Sequence, residues 1–112
     1  MYTASSESFQ INITRNNNIG TLHLSSWFGF HAHKQFKEAY SQLLNENILK
    51  FIEVDLSKIE HLDSSALGML LLLRERAIAV GKTVQLVGLS NYTGRVFQLT
   101  NFETIFEIRT LH

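Results

Sequence analysis

The chain has 112 residues, 45% of them hydrophobic, and its 10 basic and 10 acidic residues give a formal net charge of zero. This length fits one compact core, so we expect a single domain over residues 1–112. The balanced charge argues against direct binding to nucleic acid, and the lack of cysteine excludes disulfides, thiol catalysis and thiolate metal sites.

Two features of the sequence bear on location. The first residues, MYTASSESFQ, lack the basic and apolar blocks of a secretory signal. The longest apolar run, Met69 to Leu73, is too short to span a bilayer. We therefore expect a cytoplasmic protein without membrane insertion. Residues 1–8 are small and polar, and we expect them to form a loosely held N-terminus.

The first elements read as a β-hairpin. Phe9, Ile11 and Ile13 alternate with polar residues, which is the period of a half-buried strand. Three asparagines at 16–18 supply turn chemistry, because asparagine tolerates positive φ. A second alternation follows through residues 21–24.

An aromatic cluster, Trp27, Phe28 and Phe30, comes next and surrounds Gly29. It has two readings: packing at a strand end, or an exposed anchor for a partner, since aromatic side chains carry much of the binding energy at interfaces. An amphipathic helical pattern follows, which predicts a helix packed on one side of a sheet. Its apolar positions are Ala32, Phe36, Ala39, Tyr40, Leu43 and Leu44.

The second half of the chain alternates strands and helices. This order predicts parallel pairing through right-handed crossovers, and hence an α/β fold with a mixed sheet, an N-terminal hairpin and helices packed on the sheet. The predicted elements are a strand over Phe51–Leu56, a helix from Ser64 to about Val80 ended by Gly81, a strand over Lys82–Leu89, a short helix capped by Ser90 or Asn91, and a strand over Thr104–Arg109.

The turn before the long helix carries Asp63, Ser64 and Ser65 at the carboxyl end of the third strand, where sites in α/β sheets gather. The loop from Trp27 to His31 shares that rim only if the second strand runs parallel to the third. Serine and aspartate are favoured helix caps, which is one interpretation of the turn. The other is a regulated hydroxyl, because the positive end of a helix accommodates a phosphate.

The segment IEVDLSKIEHLDSSALGMLLLLRERAIAVGKTVQLVGLS resembles the core of the STAS domain, the family of bacterial anti-sigma factor antagonists. The matching features are DLS at the strand, DSSALG opening a helix, a glycine after that helix and a following apolar strand. The resemblance implies phosphorylation of Ser64 by a partner kinase. Ala66 stands where many relatives have glycine.

The resemblance further implies a partner switch. The unmodified protein would bind an anti-sigma factor that is also a serine kinase, phosphorylation on Ser64 would block binding, and a separate phosphatase would reverse it. The chain would need no cofactor and have no catalytic activity of its own. We expect partner contacts at Trp27, Phe28, Phe30, Asp55, His61, Asp63, Ser65 and Ala66. For Asp55 and Asp63 a structural reading, as strand end and helix cap, stays open beside an acidic surround that a partner reads.

Other functions fit the residues less well. His61, Asp63 and Ser64 have the residue types of a hydrolase triad, but they lie too close in sequence to converge from separate elements, and no GxSxG elbow is present. His31 and His33 have no third ligand near them, so we expect no metal site. The alternatives kept open are an accessory STAS subunit of a lipid-transporting ABC complex and, more weakly, a serine-dependent enzyme.

Overall fold

The computed structural model describes residues 8–109. The predicted loosely held N-terminus therefore lies, except for Ser8, outside the described residues. The described chain forms β1 (Gln10–Asn16), β2 (Ile19–Phe28), α1 (His33–Leu44), β3 (Phe51–Leu62), α2 (Ser64–Ala79), β4 (Thr83–Val87), α3 (Asn91–Leu99) and β5 (Glu107–Arg109). Single 3-10 turns at Phe30–Ala32 and Phe102–Thr104 precede α1 and β5.

The strands form one sheet in the order β1-β2-β3-β4-β5, with β1 antiparallel to β2 and the other neighbours parallel. This arrangement confirms the predicted mixed α/β fold. Each parallel strand is added on the same side of the previous one, so right-handed crossovers place α1, α2 and α3 on the same face of the sheet. Leu22, Val54 and Leu86 point to that face and are fully buried, whereas Thr21 and His23 on the opposite face are half-buried. The opposite face is thus open and polar.

The predicted hairpin is confirmed, and its turn contains Asn17 with a φ of 56°. Gly81, with a φ of 76°, follows α2 as expected. The last strand is shorter than predicted, because Thr104 belongs to the preceding 3-10 turn. Among residues 8–109, no helix has the length and apolar character needed to cross a membrane.

Strand β3 continues to Leu62, so the prediction that it ends at Leu56 is wrong. The pairing with β2 shifts twice, and at each shift β3 gains one residue relative to β2. Such bulges break the two-residue alternation, so the buried positions after Leu56 are Ile59 and Leu62. The loss of alternation made a continuous strand look like a loop.

Helix α2 supplies the centre of the core. Leu70, Leu73 and Ala77 are fully buried against the sheet, as are Phe36 and Leu43 of α1. Burial of this helix face fixes the position of its first turn, which lies at the carboxyl edge of β3.

Candidate functional site

Parallel pairing of β2 and β3 sets Trp27 beside His61 and Phe28 beside Leu62. The backbone N–H of Asp63 donates to the carbonyl of Phe28 at 3.3 Å. The condition stated from the sequence is therefore met: the loop after β2 and the turn before α2 lie on the same rim of the sheet.

Asp63 caps α2. One carboxylate oxygen, Oδ1, accepts the backbone N–H of Ser65 at 2.9 Å and that of Ala66 at 3.3 Å. The other, Oδ2, accepts the N–H of Phe30 at 3.4 Å. A single side chain thus joins the start of α2 to the loop after β2, and the capping role belongs to the aspartate rather than to the serines.

Gly29 makes room for this cap. A Cβ atom at position 29 would lie 2.4 Å from Asp63 Oδ2 and 3.0 Å from the indole nitrogen of Trp27. The backbone of Gly29 is extended, so space rather than conformation requires glycine here. Sequence reasoning missed this role, although a glycine between two aromatic residues in a short loop is a signal of close packing.

Ser64 is the first residue of α2 and its side chain is exposed. Within the part of the chain that the structure describes, its hydroxyl has no hydrogen-bond partner. The first turn of α2 contains no acidic residue, and the N-terminus of a helix carries partial positive charge. The hydroxyl is therefore accessible, at a helix start where the Asp63 carboxylate already accepts two of the backbone N–H groups.

Four aromatic rings lie along the same rim of the sheet, and we call them the aromatic row. Consecutive ring centroids are 6.4 Å apart for Tyr92 and His61, 5.0 Å for His61 and Trp27, and 5.4 Å for Trp27 and His31. Trp27 and Tyr92 are each 40% exposed. The row therefore presents amphipathic rings to solvent, a composition typical of protein interfaces.

Tyr92 was not predicted as a site residue. Its hydroxyl accepts the N–H of Leu62 at 3.0 Å and donates to the carbonyl of the same residue at 3.3 Å. These bonds hold α3 against the end of β3. The available signal was position, because Tyr92 follows the carboxyl end of β4 and so reaches the same rim.

A groove lies beside the first turns of α2. Phe30, which is 77% exposed, forms one wall, and α2 forms the other. The groove has a volume of about 220 Å³ and is lined by Phe30, His33, Ser65, Gly68, Met69 and Leu72. We call it the Phe30 groove.

Three predicted contact residues are placed differently from expectation. Phe28 and Ala66 are fully buried, because β2 and α2 turn these side chains toward the core. They support the rim from below and reach no partner surface in this conformation. Asp55 lies near the middle of β3 on the open face, roughly 20 Å along the strand from Asp63. The expected acidic surround of the two aspartates does not form.

The residue types of a hydrolase triad do not converge at this rim. The ring of His61 contacts Trp27 and Tyr92, and the Asp63 carboxylate is taken up by backbone N–H groups. Within residues 8–109, no group of three or more histidine, aspartate or glutamate side chains is arranged to hold a metal ion.

These features define a small α/β domain that presents exposed aromatic rings and an accessible serine hydroxyl at one rim of its sheet. A family model described as "Mlab, STAS domain" matches residues 11–110. A STAS-domain containing protein of Pseudomonas aeruginosa (strain UCBPP-PA14) is 36% identical over 88 residues, which are 79% of this chain and 85% of the relative. The chain belongs to the STAS domain family.

Solved structures share the fold. An anti-sigma factor antagonist from Mycobacterium paratuberculosis superposes with a TM-score of 0.81 at 17% identity, covering 93% of this chain and 87% of the other. Unphosphorylated SpoIIAA, also described as an anti-sigma factor antagonist, gives 0.70 at 19% identity over 94% and 90% of the two chains. A sulfate transporter family protein from Wolinella succinogenes gives 0.71 at 14% identity over 81% and 75%.

Proposed function

We propose that this protein is an anti-sigma factor antagonist whose binding is switched by phosphorylation of Ser64. The observation that carries the proposal is the state of that serine: its hydroxyl is exposed at the start of α2 and has no hydrogen-bond partner among residues 8–109, while Asp63 caps the helix. SpoIIAA, whose fold this chain shares, has a solved structure described as its phosphorylated form, which supports a modifiable site in this fold.

The partner surface in this proposal consists of the aromatic row and the Phe30 groove, which lie at the same rim of the sheet as Ser64. Trp27, Phe30 and Tyr92 are large exposed rings of the kind that dominate binding energy at interfaces. An anti-sigma factor that is also a serine kinase would cover them and so bring its active site to the hydroxyl.

Phosphorylation would break this contact by charge and by volume. A phosphoserine carries nearly two negative charges, which the positive end of α2 tolerates but a closely packed partner surface does not. A cost of about 3 kcal/mol is enough to weaken binding roughly a hundredfold. The fold need not change, and the phosphoryl group comes from the kinase and leaves through a separate phosphatase.

Affinity capture from the native cell tests this function. Full-length wild-type protein is expected to retain an anti-sigma factor with serine kinase activity, identified by mass spectrometry, and incubation with that kinase and ATP should add one phosphate at Ser64. Ser64→Asp should retain none of it. Retention by Ser64→Asp equal to the wild type, or phosphate at other residues only, would contradict the proposal.

A matched control separates position from charge. Asn47 is exposed in the segment before β3. It therefore lies at the amino end of this strand, whereas Ser64 follows the carboxyl end. Asn47→Asp adds the same charge to the chain and is expected to capture the partner as the wild type does.

A second candidate is a docking subunit of a membrane transporter. It is favoured by the shared fold of a sulfate transporter family protein. In that case the rim would bind a transporter subunit, and the same capture experiment would recover a transporter ATPase in place of an anti-sigma factor.

A further inference from the structure

The open face of the sheet carries three hydrogen-bonded side chains from three strands. Thr14 Oγ1 of β1 lies 2.7 Å from His23 Nε2 of β2, and His23 Nδ1 lies 2.8 Å from Asp55 Oδ2 of β3. The register places His23 directly beside Asp55, and Thr14 is paired with Thr21, one step along the same face from His23. This cluster is distinct from the Ser64 rim.

The direction of the hydrogen bonds follows from the carboxylate. Burial raises the pKa of Asp55, but hydrogen bonds from Ser57 and His23 together outweigh it and hold the pKa below its ordinary value. The Ser57 N–H lies 3.0 Å from Oδ1 and fixes the carboxylate. Because an ionised carboxylate only accepts, the proton of the neutral imidazole is on Nδ1 and the lone pair on Nε2. With His23 in this neutral form, the Thr14 hydroxyl is the donor to Nε2.

The resulting order, hydroxyl to imidazole to carboxylate, is that of a hydrolase triad, which is recognised by geometry and not by sequence position. The side chain of His23 is 38% exposed and that of Asp55 is 16% exposed, so the base is reachable while its carboxylate is held. The three residues line a pocket of about 460 Å³. Its other polar walls include the side-chain amides of Gln10 and Asn12 and the ammonium of Lys58.

We propose that this cluster activates Thr14 as a nucleophile toward small esters with good leaving groups. Oγ1 bonds to the acyl carbon while its proton moves to His23 Nε2. The bond from the acyl carbon to the leaving oxygen then breaks, and that oxygen takes the proton from His23. Water, deprotonated by His23, attacks the acyl-threonine, and the proton returns to Thr14 as the carboxylic acid leaves.

The pocket also limits the substrates. In this proposal the side chains of Lys58, Gln10 and Asn12, which line the pocket, donate to the developing oxyanion, and no pair of backbone N–H groups fixed at a turn takes that role. Weak oxyanion stabilisation restricts the reaction to activated esters. This activity is independent of the proposed switch and departs from the expectation of a chain without catalysis.

The test uses the full chain and 4-nitrophenyl acetate. Acid quenching during turnover followed by mass spectrometry should find an acetyl group on Thr14. Thr14→Val should remove this adduct and lower the rate roughly a hundredfold, the lower end of what a positioned general base contributes. His23→Gln and Asp55→Asn should also lower the rate, and Thr14→Ser, which keeps a hydroxyl, should retain it.

Thr21→Val is the matched control, because Thr21 lies on the same face and its hydroxyl donates to Glu53 at 3.2 Å rather than to a histidine. It should hydrolyse the ester at the wild-type rate, and melting curves establish that each variant is folded. The proposal is overturned by a wild-type rate in folded Thr14→Val, by acetylation confined to Lys58 or other amines, by hydrolysis no faster than buffer, or by a loss found in Ser64→Ala but not in Thr14→Val.

Discussion

Two aspartates in the same stretch of chain, Asp55 and Asp63, make the same local bond and serve different regions. Each accepts the backbone N–H of the residue two positions ahead, at 3.0 Å for Ser57 and 2.9 Å for Ser65. Their remaining oxygens differ: that of Asp63 faces the backbone of Phe30, whereas that of Asp55 faces the ring of His23. The Asp63 carboxylate orders the start of α2, and the neighbouring Ser64 hydroxyl has no partner in the described part of the chain. The Asp55 carboxylate orders a row of side chains on the open face of the sheet.

The helix start at Asp63, which depends on residues close together in the chain, could be predicted from the sequence. The cap is contained in DSSALG, and the alternation of strands and helices predicted parallel pairing and the position of the Ser64 turn. The choice of Asp63 over the serines as the cap could not be made, because all three are good capping residues.

The contacts between residues far apart in the chain could not be predicted. The contact of His23 with Asp55 depends on the register of β2 against β3, which neither strand specifies by its own pattern. The two bulges that follow Asp55 in β3 also leave no periodic signal. The burial of Phe28 beside the exposed Trp27 likewise depends on which face each side chain takes at the end of β2. These outcomes are set by tertiary pairing.

The largest expected effect is the difference in stability between alanine variants of the neighbouring residues Phe28 and Trp27. Phe28 packs at 5.4 Å from Phe9 and 4.9 Å from Phe36, measured between ring centroids. Phe28→Ala should lower the free energy of unfolding by about 3–5 kcal/mol, as for other buried phenylalanines. Trp27→Ala should cost much less stability but weaken partner binding by about 2 kcal/mol or more. Urea unfolding and a binding titration measure the two, and equal stability losses would refute the assignment.

The next largest effect on stability is expected where Gly29 packs against the Asp63 carboxylate. Gly29→Ala forces the new methyl group against Oδ2 of Asp63 and should destabilise the fold by about 1–3 kcal/mol, as overpacking does. Gly68→Ala is the matched change, since a Cβ there meets nothing within 4 Å. It should stabilise α2 by up to about 1 kcal/mol, because alanine is the better helix former. Thermal melts should move in opposite directions, and a neutral Gly29→Ala would argue against the tight contact.

Because Asp63 caps α2 and Ser64 does not, the two alanine variants should differ in stability, by less than in the preceding comparisons. Asp63→Ala removes the acceptor for three backbone N–H groups, two of them in the first turn of α2, and should cost about 1 kcal/mol. Ser64→Ala removes a hydroxyl without a partner in the described structure and should change stability by less than about 0.5 kcal/mol. If chemical denaturation found Ser64→Ala as costly as Asp63→Ala, the serine would be a cap after all.

The open face contributes a pH dependence. The pKa of Asp55 is lowered in the folded state, so its contribution is present above the ordinary aspartate pKa and is lost as pH falls through the folded value. Wild type should therefore be more stable than Asp55→Asn near neutral pH, and the difference should shrink below about pH 4. Urea unfolding at a series of pH values checks this, and a constant difference down to about pH 2 would contradict it.

The affinity of Ser64-phosphorylated protein for the captured anti-sigma factor tests the central claim most directly. Calorimetric titration of unmodified and phosphorylated protein, each with its melting temperature measured, separates binding from folding. We predict roughly a hundredfold weaker binding on phosphorylation with an unchanged melting temperature. Equal affinity of the two forms would contradict the switch.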